Sequence, residues 1–338
     1  MTPQDVLRWL EANMTHEVPA QVEWAGAQVE ALDGGLLNYV WRVRAGAHSV
    51  VVKHAPGHIA ASPQVALSAS RSTFEAQALR MFDGLEGGVH VPTLLAQGLD
   101  PHVVVMEDLG DAPDLRQWLA APSFAAAKLG HTLGAFVGDL HARTWGDSTL
   151  LRSLNNRSIQ RTRFHVQYRA VGDWAKGQRP RAQARAFELG ARLMQSPGRC
   201  MIMGDLWPPS VLVRAQDVCV IDWEMCHFGQ PLQDVAHLLA HLWLLEHMSS
   251  TGAPKACARG FMQGYVERLR PLSQAWSRCM WIDATTHMGV EALARLLGPF
   301  GAHYGLEGVA PERLEWMRER AWEMVASARV HPWFERAG

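Results

Sequence analysis

The run Met201-Ile202-Met203-Gly204-Asp205-Leu206-Trp207-Pro208-Pro209-Ser210-Val211-Leu212-Val213 holds the residue types most suggestive of chemistry. An apolar stretch ends on a glycine and an acid, and five residues after the acid a hydroxyl side chain, Ser210, opens an expected strand. A second apolar run, Val218 to Ile221, leads into Asp222-Trp223-Glu224. Pairing the two runs as a hairpin would bring Asp205, Ser210 and Asp222 to one end. Carboxylate and hydroxyl oxygens gathered on loops suit a hard cation such as Mg²⁺. If the second run stays extended, Asp222 and Glu224 point the same way, because strand side chains repeat every two residues.

The first third of the chain adds groups suited to phosphate. Asp33-Gly34-Gly35-Leu36-Leu37-Asn38 reads as a glycine turn between strands, where backbone N–H groups can approach an anion with no Cβ in the way. Lys53 closes the apolar strand Val50-Val51-Val52, a poor place for an ammonium unless anions meet it. Glu75 on the next expected helix is one such partner, and a nucleotide's phosphates are another. Glycine turn, strand lysine, helix glutamate, loop aspartate and metal aspartate follow in the order that phosphoryl transfer from a nucleotide requires.

The elements that must position these groups follow from the hydrophobic pattern. Thr2 caps a first amphipathic helix bearing Val6, Leu7, Trp9 and Leu10; it reads as a helix and not as a secretory leader. Strands are expected at Val22 to Val29, Tyr39 to Val43 and Ser49 to Lys53, as an antiparallel meander, with another at Val103 to Met106. A helix is expected from Ser70 to Phe82. Beyond Glu107 helical periodicity fills 124–144, 181–195, 232–248, 255–270, 275–297 and 311–327, interrupted by the strand pair Ser210 to Val213 and Val218 to Ile221. The polar, Arg-rich segment 145–180 is expected as a loop. This gives an α+β protein with a β-rich lobe over 1–107 and a mainly helical lobe over 108–338.

Composition narrows the partners. The chain has 338 residues, 48% apolar and 19% charged, with a formal net charge of -1. That fits a soluble protein with a large core and gives no footprint for nucleic acid. No window approaches a membrane span. Five cysteines, odd in number and without a C-x-x-C spacing, suit a reduced, cytoplasmic protein without a zinc site.

These motifs resemble the aminoglycoside phosphotransferase, choline kinase and methylthioribose kinase superfamily, small-molecule relatives of protein kinases. The resemblance extends over roughly residues 30 to 245, and is strongest to methylthioribose kinases and 4-hydroxytryptamine kinases. It rests on Gly35-Leu36-Leu37-Asn38-Tyr39-Val40-Trp41-Arg42-Val43, Val51-Val52-Lys53-His54-Ala55-Pro56, Arg71-Ser72-Thr73-Phe74-Glu75, Val105-Met106-Glu107-Asp108-Leu109 and Asp222-Trp223-Glu224. It implies a bilobal protein-kinase-like fold that uses ATP and Mg²⁺ to phosphorylate a hydroxyl of a small molecule. Gly34, Gly35 and Asn38 would cover the phosphates, and Lys53, positioned by Glu75, would hold them. Met106, Glu107 and Leu109 would meet adenine. Asp205 would orient or deprotonate the acceptor hydroxyl, with Asp234 holding its loop. Asp222, Glu224 and Ser210 would serve the metal. Trp281, Asp283, His287 and Arg295, on the late helices that shape acceptor pockets in this superfamily, are the acceptor candidates.

Three departures stand out. Met203 replaces the usual histidine before Gly-Asp, and Ser210 the usual asparagine, although methylthioribose kinases resemble this chain in having serine there. Ala294-Arg295 offers one arginine where methylthioribose kinases have two. Met203 and Ser210 motivate a rival reading as a nucleotide-binding pseudokinase; the retained Lys53, Glu75, Asp205 and Asp222 oppose it, and a metal hydrolase comes third. His237 and His241, at i and i+4 beside the apolar stripe Val235, Leu238, Leu239, Leu242 and Leu245, read as packed or solvated histidines and not as a metal site. Arg157, Arg161, Arg163 and Arg169 read as a solvated loop, or alternatively as contacts to an anionic acceptor. Trp276, Trp281, Trp316 and Trp322 read as core. The sequence leaves open a homodimer.

Overall fold

The structure, a computed structural model, describes residues 1–14, 22–32, 36–82, 88–215, 217–269, 276–299, 301 and 304–335. The expected glycine turn at Gly34 and Gly35 lies outside the described residues.

In chain order the first elements are α1 (Pro3–Asn13), β1 (Gln28–Ala31), β2 (Tyr39–Ala45), β3 (His48–His54), β4 (His58–Ile59), β5 (Ser62–Ala66), α2 (Arg71–Phe82), β6 (Val89–His90), β7 (Leu94–Leu99) and β8 (His102–Glu107). Then come α3 (Leu115–Leu119), α4 (Ala126–Arg143), α5 (Ser148–Ser153), α6 (Arg157–Arg163), a π-helical stretch Phe164–Arg169, α7 (Ala170–Trp174) and α8 (Pro180–Gln195). The rest are β9 (Cys200–Ile202), β10 (Val211–Arg214), β11 (Asp217–Val220), β12 (His227–Gly229), α9 (Leu232–Met248), α10 (Ala253–Leu269), α11 (Arg278–Leu297) and α12 (Pro311–Ala326). A β-rich first third and a mainly helical remainder make the α+β architecture expected from the pattern. The chain forms two compact units: Met1–Glu86 with Val91–Ala112 and Ile221–Cys226, and Gly87–His90 with Pro113–Val220 and His227–Gly338. Asp222 and Glu224 therefore pack in the first unit.

In the first unit five strands pair antiparallel in the order β1-β2-β3-β8-β7. The first expected strand is corrected: Val22 to Ala27 is not extended, because the chain turns at Ala25-Gly26, and pairing begins only at Gln28. Thr2 caps α1 in a reciprocal capping box with Asp5. Val6, Trp9 and Leu10 of that helix pack with Trp41, Val43, Val50, Val52, Val103 and Val105 of the sheet. Because side chains alternate along a strand, the Val50 and Val52 positions that build this core put Val51 and Lys53 on the other face, where Lys53 meets Glu75 of α2.

The second unit is mostly helix, with β10 and β11 pairing as a hairpin and β12 pairing with β9. The segment 145–180 is not the expected loop. It forms α5, α6, the π-helical stretch and α7, because Ile159, Tyr168 and Val171 give it a buried side. Among the described residues no helix is long and apolar enough to cross a membrane.

Helices α4 and α10 touch backbone to backbone. A Cβ at Gly134 would come 2.0 Å from the Phe261 carbonyl oxygen, and one at Gly260 would come 1.9 Å from that of Ala127. Backbone cannot yield as a side-chain tip can, so Gly134→Ala should force the helices apart. The expected loss is roughly 1–3 kcal/mol, read as a lower urea midpoint. An unchanged midpoint would mean that the two helices do not pack this closely in solution.

Candidate active site

The first unit carries a buried charge cluster. Lys53 Nζ lies 2.8 Å from Glu75 Oε1, 2.8 Å from Asp222 Oδ1 and 3.8 Å from Glu224 Oε1. Glu224 is held from two more directions, by Asn38 Nδ2 at 2.8 Å and Arg71 Nε at 2.9 Å. Arg71 is fully buried and also donates to Asn38 Oδ1 and to the carbonyls of Leu37, Pro56 and Ser68. It begins α2 one turn before Glu75, so a single helical face delivers both the carboxylate for Lys53 and the guanidinium for Glu224. Burial pushes the Glu75 carboxyl up to about 7 against the pull of Lys53. Burial also opposes the charge on Lys53, but Asp222 and Glu75 outweigh it and raise the ammonium well above its usual range.

Asp222 and Glu224 do not share one side of a strand. β11 ends at Val220, Asp222 is left-handed (φ 65°), and Trp223–Met225 forms a single tight helical turn. A non-glycine residue at positive φ is a strained placement that surrounding structure must hold. It leaves the Asp222 side chain 46% exposed, while that of Glu224 is 9% exposed. Three carboxylates here face two cations, Lys53 and Arg71. The excess of negative charge, all of it on oxygen donors and with one carboxylate open, fits a divalent cation such as Mg²⁺, and the buried ammonium fits a phosphate.

Met106, Glu107 and Leu109 lie at and just past the end of β8. The turn there is shaped by Arg42, a buried residue that sequence reading did not single out: it ion-pairs with Asp108 at 2.8 Å and Asp111 at 2.5 Å and donates to the Gly110 carbonyl.

Asp205 belongs to the second unit. Gly204 before it is left-handed (φ 82°), which glycine allows without steric cost. Asp234, in the first turn of α9, accepts hydrogen bonds from the Met203 and Gly204 backbone N–H groups, both at 2.8 Å, and meets His141 Nε2 at 3.3 Å. The Ser210 hydroxyl donates to the Asp205 carbonyl at 3.1 Å, closing the loop from its other end. Ser210 ends a helical turn, Pro208–Ser210, and does not open the strand. The Asp205 carboxylate meets Arg163 Nη2 at 2.8 Å and His237 Nε2 at 3.2 Å. Burial pushes this carboxyl upward, but His237 and the Arg163 guanidinium outweigh it and hold it down at about 2.

Arg163 corrects the reading of the basic run as solvated: it is buried, and it lies on Asp205. Of the acceptor candidates, Arg295 lies over the Trp207 ring at 5.1 Å and donates to Glu291 at 2.7 Å, while His287 bonds the Tyr168 hydroxyl. Trp281 instead stacks on Trp276 and packs at a tilt against Phe334, and Asp283 binds Arg185 and Arg192. Sequence reading missed Arg163, His237 and Glu291 as partners around Asp205; the spacing of His237 three residues after Asp234, on the helix that braces the loop, was the available signal.

Burial holds His241 and His287 down at about 3. The folded state thus refuses protons that the unfolded chain, titrating near 6.5, takes up between pH 6.5 and 3. This contribution to stability is complete above pH 6.5 and is lost as pH falls toward 3, by up to about 1.4 kcal/mol per pH unit for each histidine. The melting temperature should fall steadily below pH 6.5, less so in His241→Gln.

A strand lysine paired with a helix glutamate and a metal-suited aspartate, together with an aspartate on a pinned loop in a helical unit, define a protein-kinase-like small-molecule kinase. The chain belongs to the APH phosphotransferase enzyme family, whose profile matches residues 28–281. It is 24% identical to the 4-hydroxytryptamine kinase of Psilocybe cubensis, over 75% of this chain and 77% of that protein. The 4-hydroxytryptamine kinase of Psilocybe cyanescens is also 24% identical, over 83% and 86%. Among solved structures, a spectinomycin phosphotransferase in complex with ADP and spectinomycin aligns at TM-score 0.55 and 13% identity, over 97% of this chain and 98% of that one. A choline/ethanolamine kinase family protein from Mesorhizobium loti aligns at 0.53 and 14%, over 100% and 98%. These structures share its fold.

Proposed function

We propose that the protein transfers the γ-phosphoryl group of ATP, with Mg²⁺, to a hydroxyl of a small organic acceptor of the hydroxytryptamine type and not to methylthioribose. The observation that carries the transfer is Asp205, ionised and held by Arg163 and His237 on a loop that Asp234 pins. The acceptor class is supported by the two hydroxytryptamine kinases among its relatives and by the single arginine at Ala294-Arg295.

In this reading Lys53, kept in place by Glu75, meets the phosphates, with the segment Gly34, Gly35 and Asn38 beside them. Met106, Glu107 and Leu109 meet adenine through backbone groups. Asp222 would hold the metal, with Glu224, already bound by Asn38 and Arg71, adding its negative charge to the same cluster. When bound, Mg²⁺ neutralises charge on the phosphates. Asp205 orients the acceptor hydroxyl and takes its proton, while Ser210 and Asp234 fix its loop. Arg295 is kept as an acceptor-side residue.

The test is ADP release from Mg-ATP across 4-hydroxytryptamine, methylthioribose, choline and aminoglycosides. Release that depends on the hydroxyindole amine and exceeds that with methylthioribose supports the reading. Preference for methylthioribose would overturn the acceptor class, and no acceptor-dependent release at all would overturn the transfer.

A further inference from the structure

In the first unit α2 grips the turn that follows Asp222. The Trp223 ring packs on Phe82 with centroids 4.5 Å apart, the Cys226 thiol donates to the Phe74 carbonyl at 3.3 Å, and Glu224 Oε2 pairs with Arg71 Nε at 2.9 Å. Arg71 is the fixed point of this grip. It is fully buried, its Nη1 donates to the carbonyls of Pro56 and Ser68, its Nη2 to that of Leu37, and its Nε to Asn38 Oδ1. Asn38 in turn donates to Glu224 Oε1 at 2.8 Å, so Arg71, Asn38 and Glu224 close a ring. Both Glu224 oxygens are engaged in it and the side chain is almost closed to solvent, whereas the Asp222 carboxylate stays open.

Asp222 needs such a hold. At φ 65° it has a backbone conformation that a residue with a side chain keeps only where its surroundings impose it. Glu224 stands two residues further on, so a clamp on its carboxylate restrains the turn and Asp222 with it. The clamp also keeps charges apart. Lys53 Nζ lies 3.8 Å from Glu224 Oε1, and without Arg71 it would be the nearest cation. The Glu224 carboxylate would then be drawn onto Lys53, pulling the turn out of place and occupying the ammonium that the phosphates need.

We infer that Arg71 is a positioning residue for the metal: acting through Glu224, it holds Asp222 where Mg²⁺ can serve the nucleotide. This rests on the nucleotide-and-metal reading of Lys53 and Asp222 above. Arg71 touches neither ligand. Through Leu37 and Asn38, which follow Gly34-Gly35 in the chain, it ties the phosphate side to the same joint as the metal side. Glu224 is then the anchor of the turn, and Asp222 supplies the oxygen that meets the metal. Metal and nucleotide strengthen each other's binding most when Asp222 is already in place, so loosening the joint should shrink that mutual gain.

The test is calorimetric titration of ADP into the full chain, once with Mg²⁺ and once with EDTA. The ratio of the two affinities is the readout; it needs no acceptor and no turnover, and a uniform loss of nucleotide binding cancels from it. In the wild type Mg²⁺ should tighten ADP by about 10–100-fold. Arg71→Met should lose about tenfold of that gain. Arg71→Lys keeps a cation for Glu224 but not the planar fork that reaches Asn38 and three carbonyls. It should lose a smaller part, and it carries the test if Arg71→Met does not fold. Were Glu224 itself a metal ligand, freeing its carboxylate in Arg71→Met would keep or raise the gain. A wild-type or larger gain in either variant therefore overturns the positioning role alone. A wild type whose ADP affinity ignores Mg²⁺ overturns the nucleotide-and-metal reading, and the role of Arg71 with it.

Discussion

Asp205→Asn is expected to lower acceptor-dependent kcat by about 10²–10⁴-fold while Mg-ATP binding and the fold persist. Asparagine keeps the volume and one oxygen, so Arg163 or His237 retains a partner. The loop does not depend on the carboxylate, because Asp234 holds the Met203 and Gly204 N–H groups and Ser210 holds the Asp205 carbonyl. What the substitution removes is the ionised carboxylate to which the proposed transfer assigns the acceptor's proton. The nucleotide-side cluster of Lys53, Glu75 and Asp222 is untouched. Steady-state kinetics should therefore show a kcat effect with little change in KM for Mg-ATP. A variant that binds nucleotide and turns over at the wild-type rate would remove Asp205 from the chemistry.

Lys53→Met should have the second large effect, on both stability and nucleotide binding. Lys53 is the cation shared by Glu75 and Asp222. Removing one partner of a buried pair typically costs roughly 3–5 kcal/mol, because the remaining charge is stranded. Glu75, whose carboxyl burial already pushes to about 7, would meet this by binding a proton. The variant's stability should then fall as pH rises through neutrality, opposite in sign to the acid loss expected from His241 and His287. The double variant Lys53→Met, Glu75→Gln should regain much of the stability without regaining Mg-ATP affinity, since the stranded charge is gone but no ammonium meets the phosphates. Urea unfolding and nucleotide titration read the two effects separately. A double variant no more stable than Lys53→Met would mean that the stranded carboxylate is not the source of the loss.

The sequence carried its clearest information where local chemistry is self-announcing. The valine run ending in Lys53 and the helix bearing Glu75 each declare a strand or a helix through residue type and period alone. The order of the site residues pointed to phosphoryl transfer from a nucleotide, and the family resemblance they carry added the kinase-like fold and the small-molecule acceptor. Alternation failed at Asp222-Trp223-Glu224, where the backbone leaves the strand for a positive φ that no periodicity encodes. It failed also over 145–180, where arginine-rich composition hid an apolar side formed by Ile159, Tyr168 and Val171.

The surroundings of Asp205 were decided by tertiary structure alone. Arg163, His237 and Glu291 come from three helices separated by long stretches of chain, and each looks ordinary in its own segment: one arginine in a basic run, one histidine beside a leucine stripe, one glutamate in an apolar helix. Burial is what changes their meaning. Away from water a charge must find a partner, and which partner it finds depends on how α6, α9 and α11 pack, a property of the assembled helices and not of any segment's pattern. Strand and helix periods in the sequence by itself picked out Lys53 and Glu75; the placing of Asp222 and of the groups around Asp205 was decided by packing, because only packing holds a positive φ and brings distant groups within reach of one another.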